Sequence, residues 1–146
     1  MTEQLYNLKN ARDPEQLQVM REYADAGWCL LCHAPADDRS GHTAGFVTPD
    51  GLWTVRPNRW PQAGIRLHLL IAPLKHVLRA EHCPDGLPAA IGAAVDEYEL
   101  GKFTLVTRSG TTTATGATLA HIHTHLLVGP VTVKARPVAQ EGHSRD

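Results

Sequence analysis

The chain has 146 residues, a length that fits one domain and lets a folded protein bury roughly two thirds of the surface that its unfolded form exposes. Hydrophobic residues make up 42% of it and charged residues 20%, with a formal net charge of −1 at pH 7. This balance argues against intrinsic disorder and against a broad electrostatic attraction to nucleic acid or to anionic lipid. A phosphate-bearing ligand would therefore have to be bound by a local group of residues and not by the overall charge of the protein.

Targeting signals and cysteines indicate the compartment. No apolar run reaches the about eighteen residues that a membrane helix needs, and the first residues lack the basic and apolar parts of a signal peptide. We expect a cytoplasmic protein. Cys29 and Cys32 form a Cys-x-x-Cys pair, which in a reducing compartment suggests metal or redox chemistry. Cys83 has no evident partner and is expected to be an inert, buried or half-buried thiol.

The first predicted element is an amphipathic helix over residues 13–25. Asp13 is a capping residue, Pro14 suits the first helical position, and Glu15 is an acidic residue in the first turn. Apolar residues then recur at three- and four-residue spacing up to Gly27, which is typical of a helix stop.

The elements that follow favour an α+β fold with a mainly antiparallel sheet. The predicted elements are a hairpin from 45–48 and 52–56, a central strand at 66–73, a helix within 85–100, a strand at 102–107, a loop at 109–116, a histidine-bearing strand at 118–128 and an edge strand at 131–138. Only one long helix separates neighbouring strands, so a doubly wound parallel sheet is disfavoured. We expect an N-terminal helical extension (1–27) packed on one domain (28–138), and a flexible tail (139–146).

Three histidines alternate at positions 121, 123 and 125 inside an apolar, β-branched stretch. In a strand, residues i, i+2 and i+4 point to one face with neighbours about 7 Å apart, so the three rings are expected to share a surface. They could decorate a solvated face, or a His-x-His pair could hold a catalytic metal with a third ligand elsewhere. Alternatively, a neutral imidazole attacks phosphorus while its neighbours bind phosphate oxygens and protonate a leaving group.

The Cys-x-x-Cys pair supplies two of the four ligands that a structural zinc needs. The candidates for the other two are His76, just after the central strand, and His121, the first histidine of the triad. A redox pair or two unlinked thiols remain alternatives. A thioredoxin-like site is disfavoured because the pair does not follow a strand and open a long helix.

Three blocks in the same order resemble the histidine-triad (HIT) superfamily, in its zinc-bearing branch related to galactose-1-phosphate uridylyltransferases. His-Ile-His-Thr-His-Leu-Leu at 121–127 matches the triad, Leu-His-Leu-Leu-Ile-Ala-Pro-Leu-Lys-His at 67–76 looks like the strand that ends in Ile-Pro-Lys-x-His, and the cysteine pair stands where zinc-bearing members carry theirs. The resemblance covers roughly residues 28–128.

This resemblance implies an α+β HIT-like fold, with one long helix and an N-terminal helix on an antiparallel sheet. It implies a nucleotidyl hydrolase or transferase in which His123 attacks the α-phosphate and His125 binds phosphate and supports the leaving group. Thr118 takes the place of the family's serine near that group. The implied ligands of a structural zinc are Cys29, Cys32, His76 and His121.

Some positions differ from the family pattern. Ala117 replaces the glutamine that usually faces the phosphate, and Arg108-Ser109-Gly110 replaces an Asn-containing turn. Asn58 is the candidate for part of the ribose-binding role of an absent aspartate, while Arg59 and Arg108 are candidates for gripping an anionic group. Substrate contacts are accordingly expected from Asn58, Arg108, Ser109 and Thr118.

The expected partner is a small nucleotide or nucleotide conjugate, and the resemblance leaves a homodimer open. His125 stands where uridylyltransferases and dinucleoside polyphosphate phosphorylases carry glutamine, which favours the hydrolase side. Two other functions stay open: a module that binds a nucleotide without consuming it, and a metal-dependent enzyme that uses His121 and His123.

Overall fold

The fold is described from a computed structural model, which covers residues 4–11, 13–33 and 45–129. The helices are α1 (Pro14–Ala26), α2 (Leu30–His33), α3 (Leu87–Tyr98) and α4 (Thr112–Thr115), with short 3₁₀ turns at Leu8–Asn10 and Ala80–His82. The strands are β1 (Phe46–Val47), β2 (Trp53–Pro57), β3 (Leu67–Pro73), β4 (Thr104–Thr107) and β5 (Thr124–Val128).

The N-terminal helix begins and ends where its sequence signals predict. The Asp13 side chain accepts hydrogen bonds from the backbone N–H groups of Glu15 and Gln16, so it satisfies donors that the first turn leaves without an intrahelical partner. At the other end Gly27 adopts a left-handed conformation with φ of 75°, which costs glycine little.

The five strands form one antiparallel sheet in the order β1-β2-β3-β5-β4. The expected hairpin is present, since β1 pairs with β2, and β3 lies in the centre of the sheet between β2 and β5. Leu70 of β3 is the register partner of both Arg56 and His125, so these three residues form a row across the sheet. The α+β antiparallel architecture is confirmed.

Each face of the sheet has its own hydrophobic cluster. On one face α3 covers the strands, and the buried residues there are Trp53, Val55, Leu69, Ile71, Ala90, Ala94, Leu126 and Val128. On the other face the N-terminal segment and α2 cover the sheet, and the buried residues are Tyr6, Met20, Tyr23, Cys29, Leu30, Leu31, Trp60, Leu70, Ala72 and Leu119. The second face is the one on which the rings of His68 and His125 meet.

The structure corrects the predicted histidine strand. Regular pairing begins only at Thr124, so His121 and His123 precede the strand and the three rings do not share one pleated face. The reason is that the preceding segment pairs elsewhere: the backbone N–H of Ala120 donates to Leu5 O and that of Ile122 donates to Val77 O. These hydrogen bonds take the place of regular strand pairing, so the side chains of His121 and His123 point in directions that their own local contacts determine.

Other predictions differ in detail. The predicted loop at 109–116 contains the single-turn helix α4. The prediction of one long helix is not confirmed, because α3 has 12 residues and α1 has 13. The predicted edge strand at 131–138 and the tail at 139–146 lie outside the described residues. Among the described helices, none has both the length and the apolar character that crossing a bilayer requires.

Core packing around β5 gives a first prediction. Leu126 is fully buried beneath α3, so Leu126→Ala should lower the free energy of unfolding by about 3 kcal/mol through lost burial and a residual cavity. Leu105→Ala on the neighbouring strand is the control, because Leu105 is 41% exposed and its loss should cost under about 1 kcal/mol. Urea unfolding monitored by tryptophan fluorescence measures both, and equal losses would contradict this account of the core.

Candidate active site and metal centre

Four side chains from distant parts of the chain meet at one end of the sheet. Cys29 precedes α2 and Cys32 lies within it, while His76 follows β3 and His121 precedes β5. Their ligand atoms all lie within 4.8 Å of one another. The structure thus brings together all four residues that the sequence assigned to a metal.

Several separations between the ligand atoms are close to those around a tetrahedral ion. The Sγ of Cys29 lies 3.4 Å from the Nδ1 of His121, the Sγ of Cys32 lies 3.4 Å from the Nδ1 of His76, and the two Nδ1 atoms are 3.1 Å apart. Zinc bonds of about 2.3 Å to sulfur and about 2.0 Å to nitrogen place neighbouring tetrahedral ligands roughly 3.3 to 3.8 Å apart. Two thiolates and two imidazoles are also the donor set of closed structural zinc sites. The residues present therefore fit zinc.

His121 is held in the form that binds a metal through Nδ1. Its Nε2 lies 2.9 Å from the carbonyl oxygen of Pro73, which can only accept, so the ring proton sits on Nε2 and Nδ1 faces the two cysteines. Burial lowers the pKa of His121 to about 4 and keeps the ring neutral. Burial likewise raises the pKa of the Cys29 thiol to about 12, a penalty on the thiolate that a bound cation would reverse.

A cavity of about 250 Å³ opens beside this centre, on the sheet face covered by α1 and α2. Its apolar lining comprises Met20, Leu30, Leu31, Trp60, Leu70 and Leu119. Its polar lining comprises Asn10, Gln16, Asn58, Arg108 and Thr118, together with His123 and His125. No carboxylate lies among the described residues that line it. Arg108 is the one charged side chain among the described lining residues and the two imidazoles add hydrogen-bonding groups, so the cavity suits an anionic ligand.

The backbone determines which nitrogen of His123 is protonated. His123 Nδ1 lies 2.8 Å from the carbonyl oxygen of His121. Because that oxygen can only accept, Nδ1 carries the proton and Nε2 is the unprotonated nitrogen of the neutral ring. An unprotonated imidazole nitrogen is the form that acts as nucleophile or base.

His125 has the complementary tautomer, set by His68. The backbone N–H of Gln62 donates to His68 Nδ1 at 3.0 Å, so the proton of neutral His68 sits on Nε2. This nitrogen lies 2.8 Å from His125 Nδ1, which must accept, and the proton of His125 therefore sits on Nε2. The adjacent rings of His123 and His125, with centroids 4.8 Å apart, thus pair an unprotonated Nε2 with a protonated one.

The structure brings three of the four predicted substrate-binding residues to the cavity. Asn58, Arg108 and Thr118 line it together with the two catalytic candidates. Ser109 is not among the described lining residues, and its hydroxyl instead accepts a hydrogen bond from the backbone N–H of Ala80. The Thr118 hydroxyl donates to the carbonyl oxygen of Asn10 at 3.2 Å, so it is tied to the N-terminal segment.

Sequence reasoning missed two residues of the site. The sequence pattern places His68 in a strand and assigns it no role in the site, although a histidine in an apolar central strand is itself a signal. Gln16 lines the cavity from α1 and is 4% exposed. Its place in the helix pattern gave no hint, because the pattern shows which face is buried but not that a cavity lies there.

Comparisons with solved structures find the same fold. No protein-family model matches the chain, and no curated protein matches it. A histidine triad protein from Clostridium difficile superposes with a TM-score of 0.54 at 19% identity, over 74% of this chain and 96% of that one. A HIT family hydrolase from Legionella pneumophila Philadelphia 1 gives 0.51 at 25% identity, over 73% and 96%. A histidine triad nucleotide-binding protein from Candida albicans gives 0.52 at 17% identity, over 77% and 86%.

The chain therefore has the histidine-triad fold, as its motifs predicted. The placement in the zinc-bearing branch stays a prediction.

Two histidine variants, one in the cluster and one outside it, test the candidate metal centre. Purified protein should contain about one zinc ion per chain, and His76→Ala should reduce that content well below half because it removes one of four ligands. His82→Ala should retain the metal, because His82 lies outside the cluster. Inductively coupled plasma mass spectrometry measures the zinc content, and a full zinc content in His76→Ala would contradict the proposed metal site.

Removing the zinc with a chelator should lower the free energy of unfolding by about 4 kcal/mol if the free zinc concentration had stood near a thousand times its Kd.

Proposed function

We propose that this protein is a nucleotidyl hydrolase or transferase that acts at an α-phosphate through a nucleotidyl-histidine intermediate on His123, beside a structural zinc site. The observation that carries the proposal is the 2.8 Å contact between His123 Nδ1 and the His121 carbonyl oxygen, which leaves Nε2 as the unprotonated nitrogen of a ring that lines the cavity. The similarity to histidine-triad structures, which include a HIT family hydrolase and a histidine triad nucleotide-binding protein, supports the same reading.

The chemistry follows from the two tautomers. In the first step His123 Nε2 attacks the phosphorus, a P–N bond forms, and the bond from phosphorus to the leaving atom breaks. For this step His125 first takes a second proton from solvent; the imidazolium then gives its Nε2 proton to the leaving atom, which departs neutral, and His125 is left as a neutral ring. In the second step water or another acceptor attacks phosphorus, its proton returns to His125, and the P–N bond breaks to regenerate neutral His123.

His68 acts as a positioning residue in this scheme. It holds His125 Nδ1 as an acceptor at 2.8 Å and is itself held by the Gln62 backbone. This arrangement keeps the His125 proton on Nε2, where a leaving atom can take it. Asn58 lies against the same ring, with its Nδ2 3.3 Å from His68 Nε2, and its Oδ1 accepts from the backbone N–H of Trp60 at 2.9 Å.

The metal centre would stabilise the segment that carries His123. A zinc ion bound there would supply a rigid cross-link between α2, the end of β3 and the segment before β5. His121 connects that centre to the site, because its ring belongs to the cluster and its carbonyl accepts from His123. The proposed role of the ion is structural.

A nucleotide-binding module that consumes nothing is the second candidate. The observation that favours it is the segment 117–118: Ala117 offers no side-chain polar group to the cavity, and the Thr118 hydroxyl is directed to Asn10 O. A metal-dependent enzyme built on the His-x-His pair has less support. Among the described residues, the metal-type cluster includes His121 but not His123.

The covalent step can be tested directly. The protein is mixed rapidly with adenosine phosphoramidate or a dinucleoside polyphosphate, and the reaction is quenched without acid. Intact-mass analysis should then show about one nucleotidyl group per chain, bound to His123. His123→Ala should remove the adduct and lower turnover by at least about a thousandfold, since the nucleophile is gone. His82→Ala, which alters an exposed histidine outside the cavity, should leave both unchanged. Tight binding without product or adduct would favour the second candidate.

Proton donation by His125 predicts a dependence on the leaving group. His125→Ala should lower kcat about a hundredfold or more for a phosphoramidate, whose amine must be protonated, and far less for a p-nitrophenyl ester, whose phenolate departs without a proton. His68→Ala should show the same asymmetry in weaker form, because it acts through His125. Equal losses for both substrates would show that His125 is not the proton donor.

A further inference from the structure

We propose that Tyr6 is a positioning residue of the candidate metal centre: its hydroxyl fixes the backbone on both sides of Cys29, and its own backbone fixes the segment that leads into His121. The assignment rests on the metal centre that forms part of the proposed function. It goes further in giving the N-terminal segment, which supplies none of the four candidate ligands, a role in the affinity for the metal.

The hydroxyl of Tyr6 forms two hydrogen bonds, one with each peptide group next to Cys29. It donates to the carbonyl oxygen of Trp28 at 2.8 Å and accepts from the backbone N–H of Leu30 at 2.8 Å. Leu30 begins α2, and its N–H is one of those that a helix leaves without an intrahelical partner. Tyr6 is only 3% exposed, so water has little access with which to replace these contacts.

These two hydrogen bonds determine the direction of the Cys29 side chain. The backbone has two soft dihedral angles per residue. At Cys29, one of them turns the peptide group that holds the Trp28 carbonyl, and the other turns the peptide group that holds the Leu30 N–H. Because both groups bond the same oxygen atom, rotation about either angle would break a hydrogen bond. The Cα–Cβ bond that carries the sulfur is thereby fixed relative to Tyr6.

The backbone around Tyr6 fixes the other half of the centre. Tyr6 forms an isolated antiparallel bridge with Leu119, and its two chain neighbours form backbone hydrogen bonds of 2.7 and 2.8 Å with the residues on either side of Leu119. This paired segment leads directly into His121. Tyr6 therefore connects the two ligands whose atoms, Cys29 Sγ and His121 Nδ1, lie 3.4 Å apart.

Such preorganisation raises the affinity for a metal. An ion binds more tightly when its ligands already stand at the required separation, because binding then need not order them. Loss of a group that orients a ligand typically lowers metal affinity about ten- to hundredfold. Packing does not account for the hydroxyl of Tyr6, since a phenylalanine ring would bury the same apolar surface.

Tyr6→Phe tests the hydroxyl alone. It keeps the ring among its apolar neighbours but removes the partner of the Trp28 carbonyl and of the Leu30 N–H, so the affinity for Co²⁺ and for Zn²⁺ should fall about tenfold. Titration of the metal-free full chain with Co²⁺ measures this, because d–d absorption reports a tetrahedral ion and thiolate-to-cobalt charge transfer reports bound cysteines. Competition with Zn²⁺ then gives the zinc affinity.

Two control variants separate positioning from general stability. Tyr98→Phe is the same substitution in a tyrosine that packs on the opposite face of the sheet, and it should leave the Co²⁺ affinity within about twofold. Leu126→Ala, which destabilises that same opposite face, should also keep the affinity, because a loss of stability shared by the metal-free and metal-bound forms does not change metal binding. Sucrose in every titration keeps the metal-free proteins folded, as circular dichroism verifies.

A loss of metal affinity confined to Tyr6→Phe supports the assignment. It is overturned if Tyr6→Phe binds Co²⁺ as tightly as the wild-type protein, or if either control variant loses as much affinity as Tyr6→Phe. A wild-type cobalt spectrum without thiolate ligands would contradict the metal centre and the assignment together. The nucleotidyl-transfer reaction fails separately: the expected loss in Tyr6→Phe without any adduct on His123 would contradict that reaction alone, whereas an adduct with unchanged metal affinity would contradict the Tyr6 assignment alone.

Discussion

His121 is the residue on which the rest of the site depends, because three of its polar atoms face three different partners. Its Nε2–H donates to Pro73 O at the end of β3, its Nδ1 faces the cysteine pair, and its backbone carbonyl accepts a hydrogen bond from His123 Nδ1–H. The first contact determines the tautomer that makes the second possible. The third determines which nitrogen of the nucleophile candidate is unprotonated. The candidate metal centre and the ring of His123 are therefore positioned by the same residue.

The N-terminal segment is the second part of the chain that determines the shape of the site. Its backbone bonds directly to the segment before β5, through Asn7 N–H to Thr118 O and Ala120 N–H to Leu5 O. These contacts explain why residues 118–123 are not a regular strand: their backbone groups are used by the N-terminal segment and by the turn after β3. The same segment places Gln16 and Met20 in the cavity wall, so the part of the chain without a chemical motif still shapes the ligand site.

How much of the fold and of the candidate site the sequence predicts depends on whether the feature is determined by residues that are close in sequence. The α1 boundaries follow from Asp13 and Gly27, whose capping chemistry is local, and the four candidate metal ligands follow from donor chemistry together with the resemblance. The start of β5 was misplaced because alternation from 118 onward looks like a strand, and only tertiary hydrogen bonds reveal otherwise. His68 and Gln16 were missed for the same reason. Each gains its role from a partner or cavity far away in sequence, which no local pattern encodes.

The span of the cavity along the chain has a consequence for biosynthesis. Its walls run from Asn10 to His125, two residues separated by 115 positions (125 − 10), and β3 can pair with β5 only after the latter has been made. Such distant pairing is slow to form, since the entropy of closing a long loop is lost before the contacts compensate for it. A nascent polypeptide that stops short of β5 would leave the central strand with one open, apolar edge. Premature termination should therefore yield aggregating fragments rather than a partially competent protein.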